Sequence, residues 1–175
     1  MAAEGGADVA SGPATVALVC LGNICRSPMA HVVLADRVSE AGLEDRIQVV
    51  SAGTAGWHVG KPMDPRAATT LSEAGYDPTR HRARQLDESW FSGPDAVDLV
   101  LVMDESNRTD ARAVAHAVGG DHADRVRAFR EVDPEGPGEV PDPYYGGQDG
   151  FDEVLAMVER GAEAWVARWS DGRVG

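Results

Sequence analysis

The chain has 175 residues, 43% of them hydrophobic and 26% charged, with a formal net charge of -13 at pH 7. A single domain of this size buries a sufficient core without disulfide or metal staples, and two cysteines with dispersed histidines supply neither a disulfide framework nor metal-ligand spacing. The acidic balance excludes a nucleic-acid partner, which needs a basic patch, so an anionic substrate has to be captured by local geometry.

Residues 1–13 are mostly Ala, Gly, Ser and Pro and are expected to form a disordered tail. They lack the basic and apolar regions of a signal peptide, and no apolar run approaches the roughly 20 residues that span a bilayer. These features predict no membrane partner and a reducing, cytoplasmic setting in which thiols stay free. One domain is expected over 14–170, followed by a tail over 171–175.

Within the domain TVALVC (15–20) reads as the first strand. Ser27 and Pro28 then read as the N-cap and first residue of a helix running to Gly42. RIQVVSA (46–52) is the second strand and Pro65 to about Ala74 the second helix. VDLVLVM (97–103) is the third strand, and Asp104 to Val118 the third helix, stopped by Gly119 and Gly120. DRVRAF (124–129) is a weaker fourth strand. Phe151, Val154, Leu155, Val158, Ala162, Trp165, Val166 and Trp169 follow the apolar spacing of a final helix. None of the strands alternates strictly with polar residues, the pattern of strands buried on both faces. The fold class is therefore α/β: a three-layer, four-stranded parallel sheet with helices on both faces and a phosphate-binding loop at the end of the first strand.

Ligands of such sheets sit where strands end and helices begin, and Cys20 stands there, opening the stretch CLGNICRS. Gly22 and Asn23 tolerate left-handed backbone angles, so the loop can curl with its N–H groups inward while the helix dipole adds positive potential. Arg26 closes the ring with a planar fork that matches two phosphate oxygens. The same field favours the thiolate, the nucleophilic form of cysteine. A cysteine six residues before an arginine is a weak signal alone. The preceding strand, the Gly-Asn pair and the Ser-Pro helix start strengthen it.

CLGNICRSPMA resembles the phosphate loop of the low-molecular-weight protein tyrosine phosphatases of bacterial type, and SAGTAGWHVGKPMDPRA, HRARQ, VMDESN and DPYYGG resemble further motifs of that family in the same order. The similarity covers roughly residues 14–170. It implies a metal- and cofactor-independent protein-tyrosine phosphatase acting on phosphotyrosine proteins through a phosphocysteine, with Cys20 as nucleophile, Arg26 as phosphate clamp and Asp142 as general acid and base. An acid is required because tyrosine, with a pKa of about 10, leaves poorly as phenolate. The loop residues Leu21, Gly22, Asn23, Ile24 and Cys25 then bind the phosphoryl group, with Ser27 donating to the Cys20 sulfur. Asn23, Ser51 and His81 match a hydrogen-bonded scaffold beneath the loop.

Trp57, Tyr144 and Tyr145 are expected to wall a deep cleft for the phosphotyrosine ring, and a tyrosine kinase is a further partner expected at Tyr144 or Tyr145. Ile24 goes with tyrosine specificity, since the related arginine phosphatases resemble the same loop with threonine there. His31 departs from the acidic residue often found at its position. An arsenate reductase on the same fold needs more cysteines than this chain has, and a non-catalytic phosphate-binding module needs neither nucleophile nor acid. Cys25 is expected to trap oxidised Cys20 as a reversible disulfide.

Overall fold

The computed structural model describes residues 12–172 and 174; most of the expected N-terminal tail, residues 1–11, lies outside them. Its strands are β1 (Ala14–Cys20), β2 (Ile47–Gly53), β3 (Leu99–Val102) and β4 (Val126–Ala128). Its helices are α1 (Arg26–Glu40), α2 (Pro65–Glu73), α3 (Glu105–Val118) and α4 (Gln148–Asp171). All strand pairs are parallel, in the order β2-β1-β3-β4.

The strands lack polar alternation because both faces are covered. Val16, Leu18, Leu99 and Leu101 pack with Met29, Leu34, Leu71 and the Val154, Val158, Trp165 and Trp169 face of α4. Ala17, Val19, Val100 and Val102 turn to Ala111 and Ala115 of α3 and to Phe91. Burying a side chain of valine or leucine size contributes about 1.5–3 kcal/mol, so this double cover fixes the register of β1 at the centre of the sheet. Successive strands are added first on one side of β1 and then on the other. The β1/β3 boundary is consequently the switch point at which the carboxyl ends open a crevice.

Element boundaries differ where local turns intervene. β4 spans only Val126–Ala128, because 3-10 turns at Ala123–Arg125 and Phe129–Val132 claim both flanks of the expected 124–129 run. The first helix ends at Glu40, and Gly42, at φ 72°, turns the chain out of it. The expected N-cap at Ser27 is incorrect: α1 begins at Arg26, Cys25 holds the cap position without a side-chain cap bond, and Ser27 and Pro28 lie inside the first turn. The Ser27 hydroxyl is engaged instead by the loop it follows. Among the described residues no helix is long and apolar enough to cross a membrane.

Candidate active site

β1 delivers Cys20 to the carboxyl edge of the sheet, and residues 21–25 curl back from it into α1. Asn23 adopts φ 59°, the left-handed angle the curl requires. Among the described residues, none of the main-chain N–H groups of residues 21–25 has an acceptor within the protein. A ring of open donors ahead of a helix N-terminus is an anion cradle. Gly53, at the end of β2, lets this ring lie flat against the sheet: a Cβ there would meet the Leu21 carbonyl oxygen at 2.7 Å and the Gly22 carbonyl carbon at 2.9 Å.

Beneath the ring is a buried polar scaffold. The Asn23 side-chain amide donates to Ser27 Oγ at 2.8 Å and to Ser51 Oγ at 3.1 Å, while its Oδ1 accepts the Arg84 N–H at 2.9 Å. The Asn23 carbonyl lies 2.7 Å from His81 Nε2. Ser27 Oγ stands 3.0 Å from Cys20 Sγ. The structure brings Asn23, Ser51 and His81 together with Ser27 and adds two residues that went unassigned. One is Arg84, through its main chain; the other is His31, whose Nδ1 is 3.1 Å from Ser51 Oγ.

Arg26 is almost wholly buried, and its guanidinium is fixed from the far side of the site. Nη1 donates to Asp104 Oδ2 at 2.6 Å and to the Val140 carbonyl at 3.1 Å, leaving Nη2 to approach Asp142 Oδ2 at 3.6 Å. Burial acts to lower the arginine pKa, but Cys20 and the hydrogen bond to Asp104 more than offset it, and the guanidinium is held firmly charged. Asp104 divides its carboxylate: Oδ1 caps α3 through the Asn107 N–H at 2.8 Å, and Oδ2 serves Arg26. Sequence reading noted the VMDESN motif but gave Asp104 no role. Its signal was an N-cap aspartate placed just beyond a strand of the same sheet.

A cleft of about 170 Å³ opens above the loop, lined by Cys20, Leu21, Gly22, Ile24, Cys25, Arg26, Trp57, His58, Asp142, Tyr144 and Tyr145. His58 went unassigned in the sequence. Trp57 and Tyr145 project as a rim, 71% and 92% exposed, and Tyr144 meets Tyr145 edge to face with ring centres 4.9 Å apart. Arg66 braces this loop from α2: bound to Asp64 through Nε and Nη2, it lies over the rings of Tyr144 and Phe151. Both cysteines are free thiols. Burial, with Asp64 adding to it, drives the Cys25 pKa strongly upward and keeps it a neutral thiol.

The arrangement unites a nucleophile, an anion cradle, a fixed cation and a carboxylate around one cleft, a set suited to displacement at phosphorus. The family model for low molecular weight phosphotyrosine protein phosphatase matches residues 15–172. A low molecular weight protein-tyrosine-phosphatase of Streptomyces coelicolor is 45% identical over 155 residues, covering 87% of this chain and 91% of that protein. Low molecular weight protein-tyrosine phosphatase A of Mycobacterium tuberculosis is 43% identical over 162 residues, covering 89% and 93%. Among solved structures, a protein tyrosine phosphatase of Entamoeba histolytica with Hepes in its active site superposes with a TM-score of 0.84 at 28% identity, covering 92% of this chain and 99% of that one.

Proposed function

The chain belongs to the low molecular weight phosphotyrosine protein phosphatase family and is a phosphatase of that type, and we propose that it hydrolyses phosphotyrosine in proteins through a phosphocysteine on Cys20. The observation that carries this reading is the convergence of Cys20, Arg26 and Asp142 on one cleft from both halves of the chain. In the first step the Cys20 sulfur attacks phosphorus from the floor of the cleft. The open amides of residues 21–25 and the free Nη2 of Arg26 take the non-bridging oxygens as charge builds on them. Asp142, at the mouth, gives its proton to the departing phenol oxygen, and Ser27 donates to the sulfur. In the second step Asp142, now a carboxylate, takes a proton from water as that water attacks the phosphocysteine, releasing phosphate and restoring the thiolate.

Selectivity for the tyrosine ring follows from depth. Trp57 and Tyr144 stand as walls above the loop, so a flat ring spans the distance to Cys20, whereas a phosphoserine side chain is too short to reach it. The Tyr145 hydroxyl, on the most exposed of the rim residues, is the one a tyrosine kinase would reach. Cys25 is the redox partner: peroxide converts the Cys20 thiolate to a sulfenic acid, and the Cys25 thiol condenses with it to a disulfide, expelling water.

Hydrolysis of p-nitrophenyl phosphate without added metal tests the reading. Cys20→Ser should abolish turnover, and Asp142→Ala should lower kcat by about 10²- to 10⁴-fold, the range of a lost general acid. Full turnover by Cys20→Ser, or preferential release of phosphate from phosphoarginine peptides, would overturn it.

A further inference from the structure

The Asn23 side chain can be oriented without ambiguity, and the consequence reaches a residue on α1. Because Oδ1 accepts from the Arg84 main chain, the amide nitrogen must be the atom that faces the two serines, one hydrogen to each. Each serine oxygen is therefore an acceptor toward Asn23 and must send its own hydrogen elsewhere. Ser27 has the Cys20 sulfur at 3.0 Å and the Ala52 carbonyl at 3.4 Å. Ser51 is buried, and among the described residues its remaining partner is Nδ1 of His31. A protonated Nδ1 would aim a second donor at Ser51 and leave the serine hydrogen buried without an acceptor, at a cost that buried polar groups rarely bear.

We propose that His31 is a positioning residue for the phosphate loop: its Nδ1 accepts the Ser51 hydroxyl and so holds Ser51 as an acceptor beneath the Asn23 amide, whose orientation the Arg84 main chain fixes. His31 touches neither the cleft nor the substrate. It stands behind the loop, in an open groove of about 750 Å³ where it faces Asp36 of its own helix and Asp77, Arg80, His81, Arg82 and Arg84 of the segment packed against it. Burial lowers its pKa to about 4, with His81 and Arg84 acting in the same sense and the Val49 main chain opposing. The neutral, accepting ring is accordingly the form present at neutral pH.

The inference rests on the phosphatase reading, but one of its tests does not. Two substitutions separate acceptor character from packing. His31→Leu keeps bulk and removes the acceptor, whereas His31→Asn places an amide oxygen where Nδ1 stood. Two readouts are taken: kcat/KM for p-nitrophenyl phosphate, and the rate at which iodoacetate alkylates Cys20 at pH 6, followed by peptide mass. His31→Leu should lower both by about 3- to 10-fold, the range one neutral hydrogen bond commands, and His31→Asn should restore both. On a Ser51→Ala background His31→Leu should cost nothing further. Wild-type rates in His31→Leu, equal losses in Leu and Asn variants, or additive losses with Ser51→Ala would overturn the proposal. A wild type that alkylates normally but hydrolyses no phosphotyrosine would instead strike the phosphatase reading, leaving the alkylation series to judge His31.

Discussion

Asp133 and Asp142 lie in the same long loop after β4, and each carboxylate faces arginine, yet the two are built to opposite ends. Asp133 is fully enclosed and saturated: it accepts Arg130 Nε at 2.8 Å, Arg160 Nε at 2.9 Å, Arg160 Nη2 at 3.0 Å and the Glu135 N–H at 2.8 Å. Asp142 has its side chain 38% exposed, one main-chain donor from Tyr144 at 3.1 Å and a loose 3.6 Å approach from Arg26. The hydrogen bonds of Arg160 and the neighbouring Arg130 and Glu135 hold the first well below the usual carboxylate range, so that it never takes up a proton under ordinary conditions. A carboxylate with every lone pair filled is a rivet between the loop and α4. One with lone pairs open to a cleft is free to exchange a proton with what enters it.

The contrast breaks most sharply at the rivet. Asp133→Ala removes the enclosed carboxylate from two partly exposed guanidiniums, which keep the Glu139 and Gly136 carbonyls and Glu135 as partners, and should lower stability by about 1.5–3 kcal/mol, the range for hydrogen bonds to a charged group. For a domain of this length that lowers Tm by roughly 3–12 °C. Assayed well below its melting point, the variant should keep its kcat, because Asp133 touches nothing in the cleft. A variant that retained wild-type Tm, or lost kcat while folded, would remove the distinction between the two aspartates.

The complementary change falls on Arg26. Arg26→Lys keeps the charge but loses the planar fork that binds Asp104 with one nitrogen and leaves another toward the cleft. It should cost about 10²- to 10³-fold in kcat, as the loss of a transition-state donor does, and change Tm by only a few degrees. Steady-state kinetics and thermal melts on the same preparation check both halves. A large loss in Tm with unaltered kcat would class Arg26 with Arg130 and Arg160 rather than with the cleft.

Much of this was readable in the chain before any coordinates. The four strands announce themselves because burial on both faces removes polar alternation, and the cradle because Gly22, Asn23 and Arg26 are local neighbours whose conformational needs are written side by side. What escaped was long-range. Asp104 reaches Arg26 across 78 positions and Arg84 reaches Asn23 across 61, and no local pattern encodes either pairing. Ser27 misled for a related reason. A serine before a proline has the form of a helix cap, but here the first helical amides face the anion cradle, so its hydroxyl was free to turn to Cys20. His31, a departure from the family resemblance that seemed remote from the chemistry, proved to touch the scaffold through Ser51. Its partner lies 20 positions on, in β2.

The smallest effect separates the two regions by pH. Both His31 and His81 have pKa values lowered chiefly by burial, His31 to about 4, so the unfolded chain, with histidines near 6.5, binds more protons than the folded one between those values. Stability from this source is fully present above about pH 6.5 and drains as pH falls toward 4, at no more than about 1.4 kcal/mol per pH unit for each group. Asp133 acts in another window. Its pKa is depressed relative to the roughly 3.9 of an unfolded aspartate, so its contribution persists through that range and is lost only as pH falls below it. Urea midpoints measured from pH 7 to pH 3 should therefore decline in two stages. His31→Asn should make the upper stage shallower, His81 still contributing, while leaving the lower one, and Asp133→Asn should make the lower one shallower, Asp64 and Asp77 still contributing, while leaving the upper slope. If both substitutions altered the same stage, the scaffold under the loop and the rivet on α4 would be one titrating unit, and the division drawn between them would fail.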